Sequence, residues 1–98
     1  MSTLAWDERE QGPLPDNYFD RGVWGAPQFH KLELINFTSV IHIPLVESLR
    51  LLRVLELRDC TNAISIPSLP HLEELTIKWC TQISDLPDFP KITRLIVN

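Results

Sequence analysis

The chain has 98 residues, 44% hydrophobic and 22% charged, enough for one domain with about the smallest core that holds a fold unaided by metal or disulfide. A formal net charge of −4 and a pI near 5.2 come without the clustered Lys and Arg that neutralise phosphates, which argues against nucleic acid as a partner. No apolar run approaches the roughly 20 residues that span a bilayer, and MSTLAWDERE lacks the basic start and apolar core of a secretory leader, so the expectation is a cytoplasmic chain with no membrane partner.

Residues 1–28 hold Trp6, Leu14, Tyr18, Phe19, Val23 and Trp24 scattered among Pro, Gly and Asp. They also carry much of the acidity, with Asp7, Glu8, Glu10, Asp16 and Asp20 against Arg9 and Arg21. The segment has no match to the pattern that follows and is expected to bear no strand. It reads as an N-terminal aromatic cap, Tyr18 to Pro27 lying over the first apolar layer with Trp24 and Phe19 on Phe29, Leu32 and Leu34.

Residues 29–98 repeat themselves. The shift of 20 from Pro67 to Pro87 carries Leu52 onto Leu72 and Ile92, Leu55 onto Leu75 and Leu95, Leu57 onto Ile77 and Val97, and Cys60 onto Cys80. A shift of 23 from Pro44 to Pro67 brings in an earlier copy, with Phe29, Leu32, Leu34 and Phe37 on Leu52, Leu55, Leu57 and Cys60, and with Val40 set against Ile64. The copies run over about 29–44, 45–67 and 68–87, with a partial fourth at 88–98. A period of roughly 20 to 29 residues with the core L-x-x-L-x-L-x-x-N/C denotes leucine-rich repeats stacked in a solenoid.

On these residues the chain resembles leucine-rich repeat proteins, and LEELTIKWCTQISDLP is closest to the cysteine-bearing repeats of plant immune receptors and F-box-type repeat proteins. It is also similar to the 20-residue repeats of bacterial ubiquitin-ligase effectors, which favour Asn where this chain has Cys60 and Cys80. The resemblance implies a right-handed, mostly β solenoid with a parallel sheet of about four strands and irregular or short helical return limbs. Nothing before Phe29 matches a nucleotide-binding or ligase domain, and LPDNYF resembles the opening of an F-box only faintly, without the helical apolar pattern that should follow.

In x-Leu-x-Leu-x the leucines point to one face of a strand and their neighbours to the other. Each copy returns the chain one layer on, so strands pair in parallel and neighbours bury what a single copy cannot. Pro44, Pro67 and Pro87 begin the return limbs, where a residue without an N–H does least harm. PSLPHL and PDFPKI are too short and proline-rich for a helix; PLVESLRLL is longer and has room for one or two helical turns.

Little here suggests catalysis. Cys60 and Cys80 occupy one offset in adjacent layers, and the reading is two free thiols, small and buried, capping carbonyls where a strand turns. A disulfide, or a metal shared with His71, is the rival. His30, His42 and His71 fall at unrelated offsets, and the three glycines, Gly12, Gly22 and Gly25, form no phosphate-cradling loop. No catalytic, cofactor or metal residue is assigned, and a non-enzyme is expected.

The outward side chains form columns that suit protein binding: Lys31, Val54, Glu74 and Arg94; Glu33, Glu56, Thr76 and Ile96; Ile35, Arg58, Lys78 and Asn98; and at the rim Asn36, Asp59 and Trp79. The protein-binding face is assigned to Lys31, Glu33, Glu56, Arg58, Glu74, Thr76, Lys78, Trp79 and Arg94. Glu33 over Glu56, and Arg58 over Lys78, set like charges side by side and hint at a ligand of opposite pattern. At the far end Phe89, Ile92 and Leu95 are left open, an arrangement that suits equally a homodimer through the C-terminal edge strand or a partner protein completing the stack, and that is also expected of a piece of a longer repeat protein. The function expected is a non-enzymatic protein–protein interaction module whose partner is a protein; the alternative is a substrate-recognition subunit or fragment of a ubiquitin-ligase or immune-receptor-like system.

Overall fold

Three pentapeptides, KLELI, VLELR and ELTIK, show one accessibility pattern, with the second and fourth residues buried and the other three half-buried. That is the period-2 signature of strands with one face on a core. The computed structural model describes residues 3–13, 30–43, 50–83 and 86–98, and in it these segments are β2 (Lys31–Ile35), β4 (Val54–Arg58) and β6 (Glu74–Lys78). With β1 (Thr3–Asp7) and β7 (Arg94–Val97) they form a five-stranded parallel sheet in the order β1-β2-β4-β6-β7. The described chain is therefore mostly β, with little helix.

The pairing register is the repeat shift. Leu32 sits opposite Leu55, Leu55 opposite Leu75 and Leu75 opposite Leu95. Leu34, Leu57, Ile77 and Val97 form the second apolar column in the same way. Leu32, Leu34, Leu55, Leu57 and Leu75 are wholly buried, each such side chain contributing about 1.5–3 kcal/mol relative to an exposed one.

The front of the chain corrects one expectation. Far from bearing no strand, it supplies β1, whose TLAWD places Leu4 opposite Leu32 and Trp6 opposite Leu34. Leu4-x-Trp6 has the spacing of Leu-x-Leu with an indole in the second slot, so it extends both apolar columns by a layer. The sheet has five strands, not about four. The cap assigned to Tyr18–Pro27, with Phe19 and Trp24, lies outside the described residues.

Opposite the sheet, β3 (Ile41–His42) and β5 (Ile64–Ser65) pair in parallel, and a single bridge joins Ile64 to Ile83. Phe37, Ile43, Leu52, Cys60, Leu69 and Leu72 fill the space between the two walls. Here too a detail changes: Ile41, buried, pairs with Ile64, whereas Val40 is 67% exposed. The 23-residue shift is thus kept without a slip. The limbs PSLPHL and PDFPKI are turns, closed by Leu72 N–H to Leu69 C=O at 3.3 Å and Ile92 N–H to Phe89 C=O at 3.2 Å. Residues 44–49 of the longer first limb lie outside the described residues.

The helix among the described residues is α1 (Glu8–Gln11), directly after β1. Asp7 caps it, accepting from the Arg9 N–H at 3.0 Å. Gly12 ends it at φ 83°, a left-handed value that glycine adopts without a Cβ penalty, and the Trp6 indole N–H donates to Gly12 C=O at 2.7 Å. These contacts fold α1 back over the end of β1.

Candidate functional site

On the outward face the columns read from the sequence are present as paired residues: Lys31, Val54, Glu74 and Arg94 in one, Glu33, Glu56, Thr76 and Ile96 in the next. Thr3 and Ala5 of β1 extend them. Glu33 does neighbour Glu56, and Arg58 does neighbour Lys78, but Arg58 balances the first pair. Its Nε lies 2.9 Å from Glu56 Oε2 and its Nη2 4.0 Å from Glu33 Oε1. The Nε–H is not aligned as a hydrogen bond, so the contact is ionic. Lys31 reaches Glu33 at 4.0 Å and Arg94 reaches Glu74 at 3.8 Å. Such partly exposed pairs are worth about 0–1 kcal/mol each, yet they cancel charge within the sheet. The stacked like charges therefore do not by themselves call for a ligand, and Lys78 is left without a carboxylate partner among the described residues.

The rim at the C-terminal ends of the strands is more distinctive. Asn36, Asp59 and Trp79 each follow a strand at the same offset, and each is left-handed, with φ of 59°, 54° and 57°. Their N–H groups continue the ladder, donating to Arg58 C=O at 3.0 Å, Lys78 C=O at 3.0 Å and Asn98 C=O at 3.3 Å. Asn and Asp tolerate this conformation; a bulky residue in it is an outlier. Trp79 nonetheless stands there 62% exposed.

Next to this rim α1 supplies a wall. The Asn36 side chain donates to both Asp7 carboxylate oxygens, at 3.2 and 3.3 Å. Glu8 accepts from the Thr38 N–H at 2.8 Å, the Thr38 hydroxyl at 2.7 Å and the Ser39 hydroxyl at 2.8 Å. Partial burial pushes the Glu8 carboxyl up, but these donors together outweigh it and hold it below its ordinary value. The result is a groove of about 500 Å³ with Glu8 and Arg9 on one side, Trp79 on the other, and Asn36, Asp59, Thr38 and Thr61 between. Trp79 and its column were legible in the sequence; Glu8, Arg9, Thr38 and Thr61 were not, because nothing in the repeat announces that the front of the chain folds against the second layer.

The remaining candidates are spent or dispersed. Cys60 is buried and its thiol donates to Leu34 C=O at 3.7 Å and Arg58 C=O at 3.4 Å. Cys80, half-buried, donates to Lys78 C=O at 3.4 Å. Both are free thiols, and burial pushes Cys60 up to about 12, far from a reactive thiolate. His30 precedes β2 with Nδ1 buried and unpartnered among the described residues. His42 on β3 meets the Ser65 hydroxyl at 2.6 Å, and His71 lies exposed in the turn before β6. Among the described residues no cluster of three His, Cys, Asp or Glu could hold a metal ion, and no helix is long and apolar enough to cross a membrane.

Comparison with known protein families, with curated proteins and with solved structures returned no match to this chain.

Proposed function

We propose that the chain is a short leucine-rich repeat solenoid that works as a non-enzymatic recognition module, binding a protein partner across the outward sheet face and its C-terminal rim. Three things support the reading: a register equal to the repeat shift, one outward face of mostly polar side chains running over neighbouring parallel strands, and thiols and histidines that are spent or sit on different elements. The observation that carries it is Trp79, a large aromatic exposed in a backbone conformation that disfavours it. Indoles of this kind are enriched among interface hot spots, and strain at an exposed residue points to use.

Affinity capture with the purified chain tests the proposal. The comparison is between the unaltered protein, the face variant Thr76→Arg with Lys78→Glu, and Lys91→Glu on an exposed return limb. Partners retained by the unaltered protein and by Lys91→Glu should be lost from the face variant. Identical partner sets for all three would sink the proposal.

A further inference from the structure

We infer that the rim groove receives an arginine side chain of the partner, stacked on the Trp79 indole and paired with the Asp59 carboxylate. This rests on the recognition reading above and names the chemistry of the group recognised.

Several polar groups around the groove are already used. In the corner column, the Asn36 amide is committed to Asp7. On the opposite wall, the Glu8 carboxylate is committed to Thr38 and Ser39. Asp59 is exposed, and its carboxylate has no side-chain or backbone donor among the described residues. Arg9, on the same groove, is not paired with it. Trp79 lies one layer further on, at the equivalent corner of the neighbouring strand, and strands in a sheet are about 4.8 Å apart. A free carboxylate and an exposed indole thus stand side by side in one concavity.

A guanidinium uses both. Its plane stacks on an indole face, its charge is attracted by the ring's negative quadrupole, and its fork meets a carboxylate through two parallel hydrogen bonds. An ammonium would meet the charge but not the plane. The groove's two carboxylates, Glu8 and Asp59, outnumber its one cation, Arg9, and with the chain's net charge of −4 they disfavour an anion there. The hydroxyls of Thr38 and Thr61 lie on the same groove and supply donors and acceptors for the peptide on either side of the arginine. The open groove of about 500 Å³ leaves room for the side chain and its flanking backbone.

The experiment is an NMR titration of the full chain, 15N-labelled, with three blocked tripeptides, glycine–X–glycine, in which X is arginine, lysine or citrulline. The readout is the indole N–H resonance of Trp79, assigned by its loss in Trp79→Asn. The arginine peptide should shift this resonance saturably. The lysine peptide should bind several-fold more weakly, and citrulline, which keeps the plane and loses the charge, should leave it unmoved. Asp59→Asn, which suits the left-handed corner and preserves the fold, should weaken the arginine peptide on the order of ten-fold. Citrulline binding as well as arginine, arginine binding unaffected by Asp59→Asn, or an indole that does not respond would each overturn the inference. Because this readout involves neither Thr76 nor Lys78, a silent Trp79 alongside partners still lost from the face variant would remove the arginine site and leave the recognition module standing.

Discussion

At the scale of single residues, Trp79 and Cys60 show how one repeat position is used differently in successive layers. The left-handed corner is filled by Asn36 and Asp59 and then by Trp79, where a bulky side chain costs about 1–2 kcal/mol. Because the indole is 62% exposed, little burial offsets that cost. Trp79→Asn should therefore raise the unfolding free energy by about 1 kcal/mol in urea denaturation; a fall of that size would mean that the indole is a packing residue and not a displayed one. The Cys60 thiol makes a prediction about pH. Burial foremost, with Cys80 adding to it, pushes the folded thiol up to about 12 from an ordinary 9.0. A raised acid pKa means that the folded state holds its proton where the unfolded state loses it. The contribution is thus fully present below pH 9 and declines as pH rises from about 9 towards 12. Cys60→Ala should flatten that alkaline decline relative to the unaltered chain, as followed by denaturant melts from pH 8 to 11, whatever it does to stability at neutral pH.

At the scale of elements, equal sequence position does not mean equal energy. Leu55 and Leu95 occupy the same slot in β4 and β7, yet Leu55 is wholly buried and Leu95 is 56% exposed. Leu55→Ala should cost about 2–5 kcal/mol, and Leu95→Ala less than about 1 kcal/mol, because most of its surface never leaves water. Equal losses would show that β7 is covered in solution. The α1 hook behaves as a separate unit. Glu8→Gln removes a charged acceptor of three donors, so the Thr38 amide should exchange with solvent faster while the amide of Leu55 keeps its protection. The Glu8 carboxyl lies below its ordinary 4.5, so its contribution is present above that value and is lost as pH falls through the lowered one. Acidification should therefore reproduce the variant's effect at Thr38.

These elements also show what the sequence made legible. β2, β4, β6 and β7 carry leucine or its equivalents two apart at a steady shift, and their register followed from that alone. β1 did not, because Leu4 has Trp6 and not leucine beside it and stands 28 residues before its partner Leu32, outside either repeat shift. Val40 and Ile41 are adjacent aliphatics in a loop, and only the pairing of Ile41 with Ile64 shows which of them turns inward. The rim column could be read from spacing, but its left-handed backbone could not. The groove itself depends on contacts between α1 and the second layer, some 30 residues apart in sequence, which no local pattern encodes.

At the scale of the whole molecule, the sheet's two edges differ. The β1 edge is followed at once by α1, and the contacts of its N-cap Asp7 and of Glu8 tie it down. The β7 edge bears Leu95 and Val97, at 56% and 59% exposure, and beside it an apolar hollow of about 410 Å³ is lined by Leu86, Phe89 and Ile92. Open strand edges with apolar neighbours pair with other chains, and the arrangement that closes on itself is a two-fold one, in which β7 of one copy runs antiparallel to β7 of another. A β7-to-β1 arrangement would instead propagate without closing. The expected result is that light scattering shows the mass rising from one copy to two with concentration and no further. Val97→Asp should hold it at one copy across the same range, since a carboxylate in the new interface would be buried without a partner. A single-copy mass for both proteins at millimolar concentration would dismiss edge pairing, and a mass that climbs past two would point to stacking through both edges.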